Sequence, residues 1–271
     1  ILIGSISSGI DQKIEELKRG RSRVLDGNHT LILGWSGKIF TIIREIIEAN
    51  SNQKRPCIVI LSDKDKVEAE EEIKSRVGDF RNTKIVVRSG STLESSAAEM
   101  VNINEARSII VLSPEVDNPD TFVIKTVLGI TNGKHRHAEP YHIVAEIRDE
   151  RNLEAAELVG NGEAVYVLSE DLISRVIAQT CRQSGLSIVY SDILEFAGDE
   201  IYFEALPESL IGKTYRDSLF AYEDSAIIGI YTATGEVLIN PPTDRPLASG
   251  ESVIAISEDD DTVIPNGRTD V

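Results

Sequence analysis

From His29 onward, six short apolar runs, most of them rich in β-branched residues, alternate with stretches of helical period, and this alternation restricts the chain more than any other feature. The runs are Thr30 to Leu33, Cys57 to Leu61, Lys84 to Val87, Ser108 to Leu112, His142 to Ile147 and Ala164 to Leu168. Runs this continuously apolar suit strands buried on both faces, as in a parallel sheet covered by helices. Between the first two, Ile39, Ile42, Ile43, Ile46 and Ile47 form one helical stripe, which must cover a sheet face. Asn118 followed by Pro119 predicts an N-cap and first helical residue, with Val123, Thr126, Val127 and Ile130 at helical spacing before Asn132 and Gly133. The predicted class is α/β, a Rossmann-like doubly wound parallel sheet.

After Leu168 the pattern changes. Ser169 is expected to cap a crossover helix with Leu172, Ile173, Val176, Ile177 and Thr180 on its buried face and Gly185 beyond its last turn. Ile188 to Phe196, Glu200 to Leu206, Ser225 to Tyr231, Glu236 to Ile239 and Ser252 to Ile256 then predict a small β-rich C-terminal subdomain. With 28 Lys and Arg against 45 Asp and Glu, the net charge of −17 argues against a nucleic-acid partner. No stretch is apolar for long enough to span a bilayer. Cys57 and Cys181 form no disulfide framework or metal-ligand spacing, and point to a reducing, cytosolic setting. Asp11 to Leu25, basic and half-helical, is expected to be a linker, either a solvated arm or a juxtamembrane connector.

At the first strand–helix junction stands Gly34-Trp35-Ser36-Gly37-Lys38-Ile39. A dinucleotide fingerprint needs glycine at the first, third and sixth places, for a tight turn, close approach to pyrophosphate and close packing of helix on sheet. Only Gly34 meets it, although Gly37 can relax the turn. Asp63 stands where an acid would read a ribose hydroxyl, or else caps the next helix. Ser89, Gly90, Ser113 and Glu146 fall at later strand ends, where open α/β sheets place ligands. The candidate nucleotide residues are therefore Gly34, Ser36, Gly37, Asp63, Ser89, Gly90, Ser113 and Glu146, with NAD binding expected to be weak or absent. No catalytic residues emerge: none of His29, His135, His137 and His142 stands beside a nucleophile, and His135 with His137 lacks a third metal ligand.

Particular strings carry a resemblance. Asn28-His29-Thr30-Leu31-Ile32-Leu33-Gly34-Trp35-Ser36, Arg88-Ser89-Gly90-Ser91, Cys181-Arg182-Gln183-Ser184-Gly185-Leu186, Ser191-Asp192-Ile193-Leu194 and Glu258-Asp259-Asp260-Asp261-Thr262 are similar to the soluble part of Castor/Pollux-type ion channels. The architecture resembles an RCK domain, the regulator of potassium conductance. The resemblance implies a ligand-sensing gating module on the cytoplasmic side of a membrane channel, joined to a transmembrane pore domain of the same chain. It implies a homo-oligomeric ring, a tetramer or octamer of RCK domains, and Ca²⁺ as ligand, with NAD or ADP second. The implied divisions are 1–27 linker, 28–168 Rossmann-like subdomain, 169–185 crossover helix, 186–258 C-terminal subdomain and 259–271 tail. Arg182-Gln183-Ser184-Gly185 and Phe203 depart from the acidic calcium positions of the best-known potassium-channel RCK domain. The nearest alternative acids are Asp192, Glu195, Asp199, Glu200 and Glu204, meeting Asp117 or Asp120 across an interface; their other reading is the polar face of two strands. A soluble regulatory subunit of a potassium uptake system and a nucleotide-dependent oxidoreductase are the rival functions.

Overall fold

The computed structural model describes residues 20–94, 96–134, 136–259 and 262–266. The chain divides into two compact units, Ile1–Ala178 and Gln179–Val271.

In the first unit, β1 (His29–Leu33), β2 (Cys57–Ser62), β3 (Lys84–Ser89), β4 (Ala106–Val111), β5 (Ile143–Ile147) and β6 (Ala164–Leu168) form one sheet in the order β3-β2-β1-β4-β5-β6. Every pairing is parallel, with Leu31 opposite both Val59 and Ile109. This is the doubly wound order, whose reversal point lies between β1 and β4. The expected strands agree with the observed ones to within two residues at each end, because β1 and β2 are buried at every position. α1 (Ile39–Ala49) and α2 (Lys66–Val77) cover one face through Ile39, Ile43, Ile47 and Ile73. α4 (Pro119–Thr131) and α5 (Leu153–Gly160) cover the other through Val123, Val127 and Ala156. Between β3 and β4 the crossover holds only α3 (Ala97–Met100) and a short 3-10 turn.

Two expected caps are placed differently. Asn118 is left-handed, with φ of 54°, and makes no capping hydrogen bond, although Pro119 does begin α4. Asp65, rather than Asp63, caps α2, accepting from the N–H groups of Val67 and Glu68 at 2.8 and 3.2 Å.

α6 (Ser169–Arg182) begins in the first unit and ends in the second. Its expected buried face is exposed: Leu172, Ile173 and Ile177 are 51%, 51% and 64% accessible, and no residue of the helix is buried. At its start the Ser169 hydroxyl donates to Glu146 at 2.7 Å.

The second unit corrects one strand assignment. Ile188 to Phe196 is not a strand, and most of it lies in the helix α7 (Leu186–Leu194). Leu186, Val189, Tyr190 and Ile193 recur at helical spacing, which the β-branched Ile188 and Val189 obscure. β7 (Glu200–Ala205), β8 (Ala226–Tyr231), β9 (Val237–Ile239) and β10 (Ser252–Ser257) form an antiparallel sheet in the order β7-β10-β8-β9. Val253 and Ala255 of the central β10 join Leu210, Tyr222 and Ile230 in its core, together with Tyr215 of the short α8 (Tyr215–Ser218). Gly229 allows β9 close approach: a Cβ there would lie 2.4 Å from the Leu238 carbonyl oxygen. Among the described residues, no helix is long and apolar enough to cross a membrane.

A candidate ligand cleft at the carboxyl ends of the strands

The turn from β1 into α1 borders a cleft of about 500 Å³ that also meets the ends of β2 and β4. Gly34 is required there: its φ is +94° and a Cβ would lie 2.8 Å from the Leu112 carbonyl oxygen. Ser36 is buried and its hydroxyl has no hydrogen-bond partner among the described residues, and the same holds for Ser62 across the cleft. Ile39, at the place of the third glycine, is fully buried, so the sheet–helix spacing accommodates a branched side chain. Asp63 is exposed and lines the cleft beside Lys64. The Lys64 ammonium lies 5.0 Å from the Trp35 ring centroid and pairs with Glu72.

A helix N-terminus presents unpaired N–H groups to an anion, and Gly37 lies just before α1. Here the Gly37 N–H donates to Glu115 Oε1 at 3.1 Å. A carboxylate of the chain itself thus takes a donor that a phosphate would use. Nothing in the local sequence marks Glu115, which follows β4 by four residues and reaches Gly37 only through the fold.

The remaining candidates separate into two groups. Ser89 and Gly90 stitch neighbouring strand ends together: Ser89 Oγ donates to the Lys64 carbonyl at 2.7 Å and the Gly90 N–H to the Ser62 carbonyl at 2.9 Å. Ser113 and Glu146 do meet, the Ser113 N–H donating to Glu146 Oε2 at 3.3 Å. Glu146 is 8% exposed and also receives Ser169 Oγ at 2.7 Å and the Lys38 ammonium, with Arg148 Nε at 3.8 Å. Gly34, Ser36, Gly37 and Asp63 therefore share the cleft, while Glu146 ties the start of α1 to the start of α6.

The proposed calcium acids are dispersed. Asp192 is on α7, Glu195 follows it, Asp199 precedes β7, and Glu200 and Glu204 lie on β7, opposite Ser257 and Val253. Among the described residues, no three His, Cys, Asp or Glu side chains converge to hold a metal ion. Asp120 is already committed, accepting from the N–H groups of Arg148 and Asp149 at 3.0 Å each and from Asn152 Nδ2 at 2.8 Å. Asp117 is exposed. His135 lies outside the described residues, and His137 packs its ring 4.4 Å from that of Tyr141.

A family model described as Castor and Pollux, part of voltage-gated ion channel, matches residues 170–270. A second, described as calcium-activated potassium channel slowpoke-like RCK domain, matches residues 27–136. The probable ion channel CASTOR of Oryza sativa subsp. japonica is 35% identical over 269 residues, covering 98% of this chain and 30% of that protein. The ion channel CASTOR of Lotus japonicus is 34% identical over 269 residues, covering 98% of this chain and 31% of that protein. The chain belongs to the Castor/Pollux family. It spans about 30% of the length of these Castor/Pollux relatives. A structure of the human SLO3 gating ring aligns with a TM-score of 0.57 at 16% identity, over 86% of this chain and 48% of that one. That likeness gives this Castor/Pollux chain and the SLO3 gating ring a common fold.

Proposed function

We propose that this chain is the cytoplasmic ligand-sensing gating-ring domain of a Castor/Pollux-like cation channel, coupling ion binding to pore opening. The observation that carries this reading is a relationship to named ion channels that extends across both units of the chain. It is a binding and coupling module rather than an enzyme, one copy in a tetrameric or octameric ring of such domains, joined to the transmembrane pore domain of its own chain. Residues 28–168, 169–185 and 186–258 serve as its Rossmann-like subdomain, crossover helix and C-terminal subdomain.

Calcium is the proposed ligand, held by Asp192, Glu195, Asp199, Glu200 and Glu204 with further oxygens from a second copy. NAD or ADP in the cleft is the weaker alternative, supported by the orphaned hydroxyls of Ser36 and Ser62 and opposed by Glu115. The exposed stripe of α6 is the proposed assembly face. A ligand shifts the ring only if it binds one arrangement better than the other, and couplings of about 1–3 kcal/mol are typical. Calorimetry with Ca²⁺ on the assembled protein tests this: saturable binding that Asp192→Asn with Glu195→Gln abolishes is expected. Binding unchanged by that pair of substitutions would remove the site.

A further inference from the structure

We infer that a second cleft, beside the face of the first unit's sheet that α4 and α5 cover, is a binding site for a single-chain amphiphile with an anionic head group. The inference does not depend on the gating role. It begins with the short crossover from β3 to β4. The helices that follow β1, β2 and β4 have eleven, twelve and thirteen residues, whereas α3 has four. A crossover helix ordinarily covers the sheet face it passes over. Here α3 leaves a cleft of about 640 Å³ lined by Leu33 and Leu61 from the sheet, Val101 and Ile103 from the crossover and Ile130 from α4. This volume lies within the usual range of small-molecule sites, roughly 300–1,000 Å³. Apolar atoms make up the greater part of its exposed lining, which favours an apolar occupant.

Gly129 lines the same cleft in the last turn of α4. Steric crowding among the described residues does not require it, since a Cβ there would meet none of them within 4 Å. Space is thus kept beside the helix where a side chain would intrude. Lys125 lies one turn earlier on the same helix face, and it joins Arg23 and Lys134 in the lining. None of these three forms an ion pair among the described residues, whereas Arg136, also in the lining, is held by Glu163. Glu94 and Glu99 are the carboxylates of the lining, fewer than its cations, in a chain of net charge −17. An apolar interior with an excess of cations selects an alkyl chain carrying an anionic group.

The test is calorimetry on the purified chain with laurate below its micelle-forming concentration, beside inorganic phosphate and dodecyltrimethylammonium. Saturable binding of one laurate per chain is expected, with phosphate and the cationic amphiphile at least tenfold weaker. Lys125→Glu with Lys134→Glu should weaken laurate at least tenfold. Gly129→Leu should abolish binding while leaving the thermal midpoint unchanged or raised, because leucine favours the helix. Phosphate binding as tightly as laurate would reduce the site to an anion site, and equal binding of both amphiphiles would reduce it to non-specific adsorption. Either result, undiminished binding to Gly129→Leu, or no binding to the parent chain would overturn the inference. So would laurate binding to the monomer that disappears on assembly, since a second copy would then be the occupant.

Discussion

Glu146 on β5 accepts a hydrogen bond from the hydroxyl of Ser169, the first residue of α6, at 2.7 Å. The same carboxylate holds Lys38, which precedes α1, and the backbone N–H of Ser113 beyond β4. One buried acid thus joins the loop bordering the cleft to the helix that leaves the Rossmann-like unit. An event at the cleft loop has a short path to α6 through this residue, and removing its charge tests the path.

Glu146→Gln keeps the shape and removes the charge. Stability to urea should fall by roughly 1.5–3 kcal/mol, the range for hydrogen bonds to a charged group. Combined with Ser169→Ala, the two effects should be non-additive by at least about 0.5 kcal/mol, as expected of side chains in contact. Strict additivity would show that the hydrogen bond carries no energy.

Glu115 holds the Gly37 N–H that a phosphate would need. The parent chain should bind NAD and ADP weakly or not at all in calorimetry, and Glu115→Ala should tighten ADP severalfold. Asp63→Ala in that background should weaken ADP by about 1.5–3 kcal/mol if the acid holds the ribose. Low-micromolar NAD binding by the parent chain would contradict this account of the loop.

The second unit should lose stability in acid through Glu251. Its carboxylate accepts from Arg245 Nη1 at 3.0 Å and from the Ala248 N–H at 2.9 Å. The Arg245 hydrogen bond, aided by the Ala248 N–H, holds the Glu251 pKa below its ordinary value against the opposing effect of burial. A folded-state pKa below the unfolded one, about 4.3, makes this contribution complete above that pH and lost as pH falls through the folded value. Glu251→Gln should flatten the fall in unfolding free energy between about pH 5 and 3. A profile identical to that of the parent would exclude Glu251 as its source.

His29 introduces a second pH dependence at a higher pH. It is fully buried on β1, and burial holds its imidazole below the ordinary 6.5. The unfolded chain therefore takes up this proton first, so stability declines as pH falls below about 6.5 toward the folded value. His29→Leu should remove that slope in denaturant titrations from pH 7 to 5 without affecting the Glu251 range.

The sheet was legible because double burial demands unbroken apolar runs, and Cys57–Ser62 is buried at all its positions. The helix α7 was not, since Ile188 and Val189 favour strands locally and only the spacing of Leu186, Val189, Tyr190 and Ile193 identifies a helix. The stripe of α6 was legible as apolar, but the described residues of one chain do not bury it. Gly34, Ser36, Gly37 and Asp63 could be placed by motif spacing. Glu115 could not, because it reaches Gly37 across 78 residues of sequence. Asp65 displaced Asp63 as a cap because the chain extends past Asp63 before α2 begins.

The most direct measurement is the open probability of the proposed channel, recorded from the full-length protein while Ca²⁺ is applied to the face bearing this segment. Open probability should change several-fold with Ca²⁺ in the parent channel. The response should disappear when Ile173→Glu and Ile177→Glu break the α6 assembly face, with sedimentation of the isolated chain falling to its 29.8 kDa monomer in parallel. Open probability indifferent to Ca²⁺, or a full response from a channel whose isolated domain sediments as a monomer, would contradict the gating-ring role.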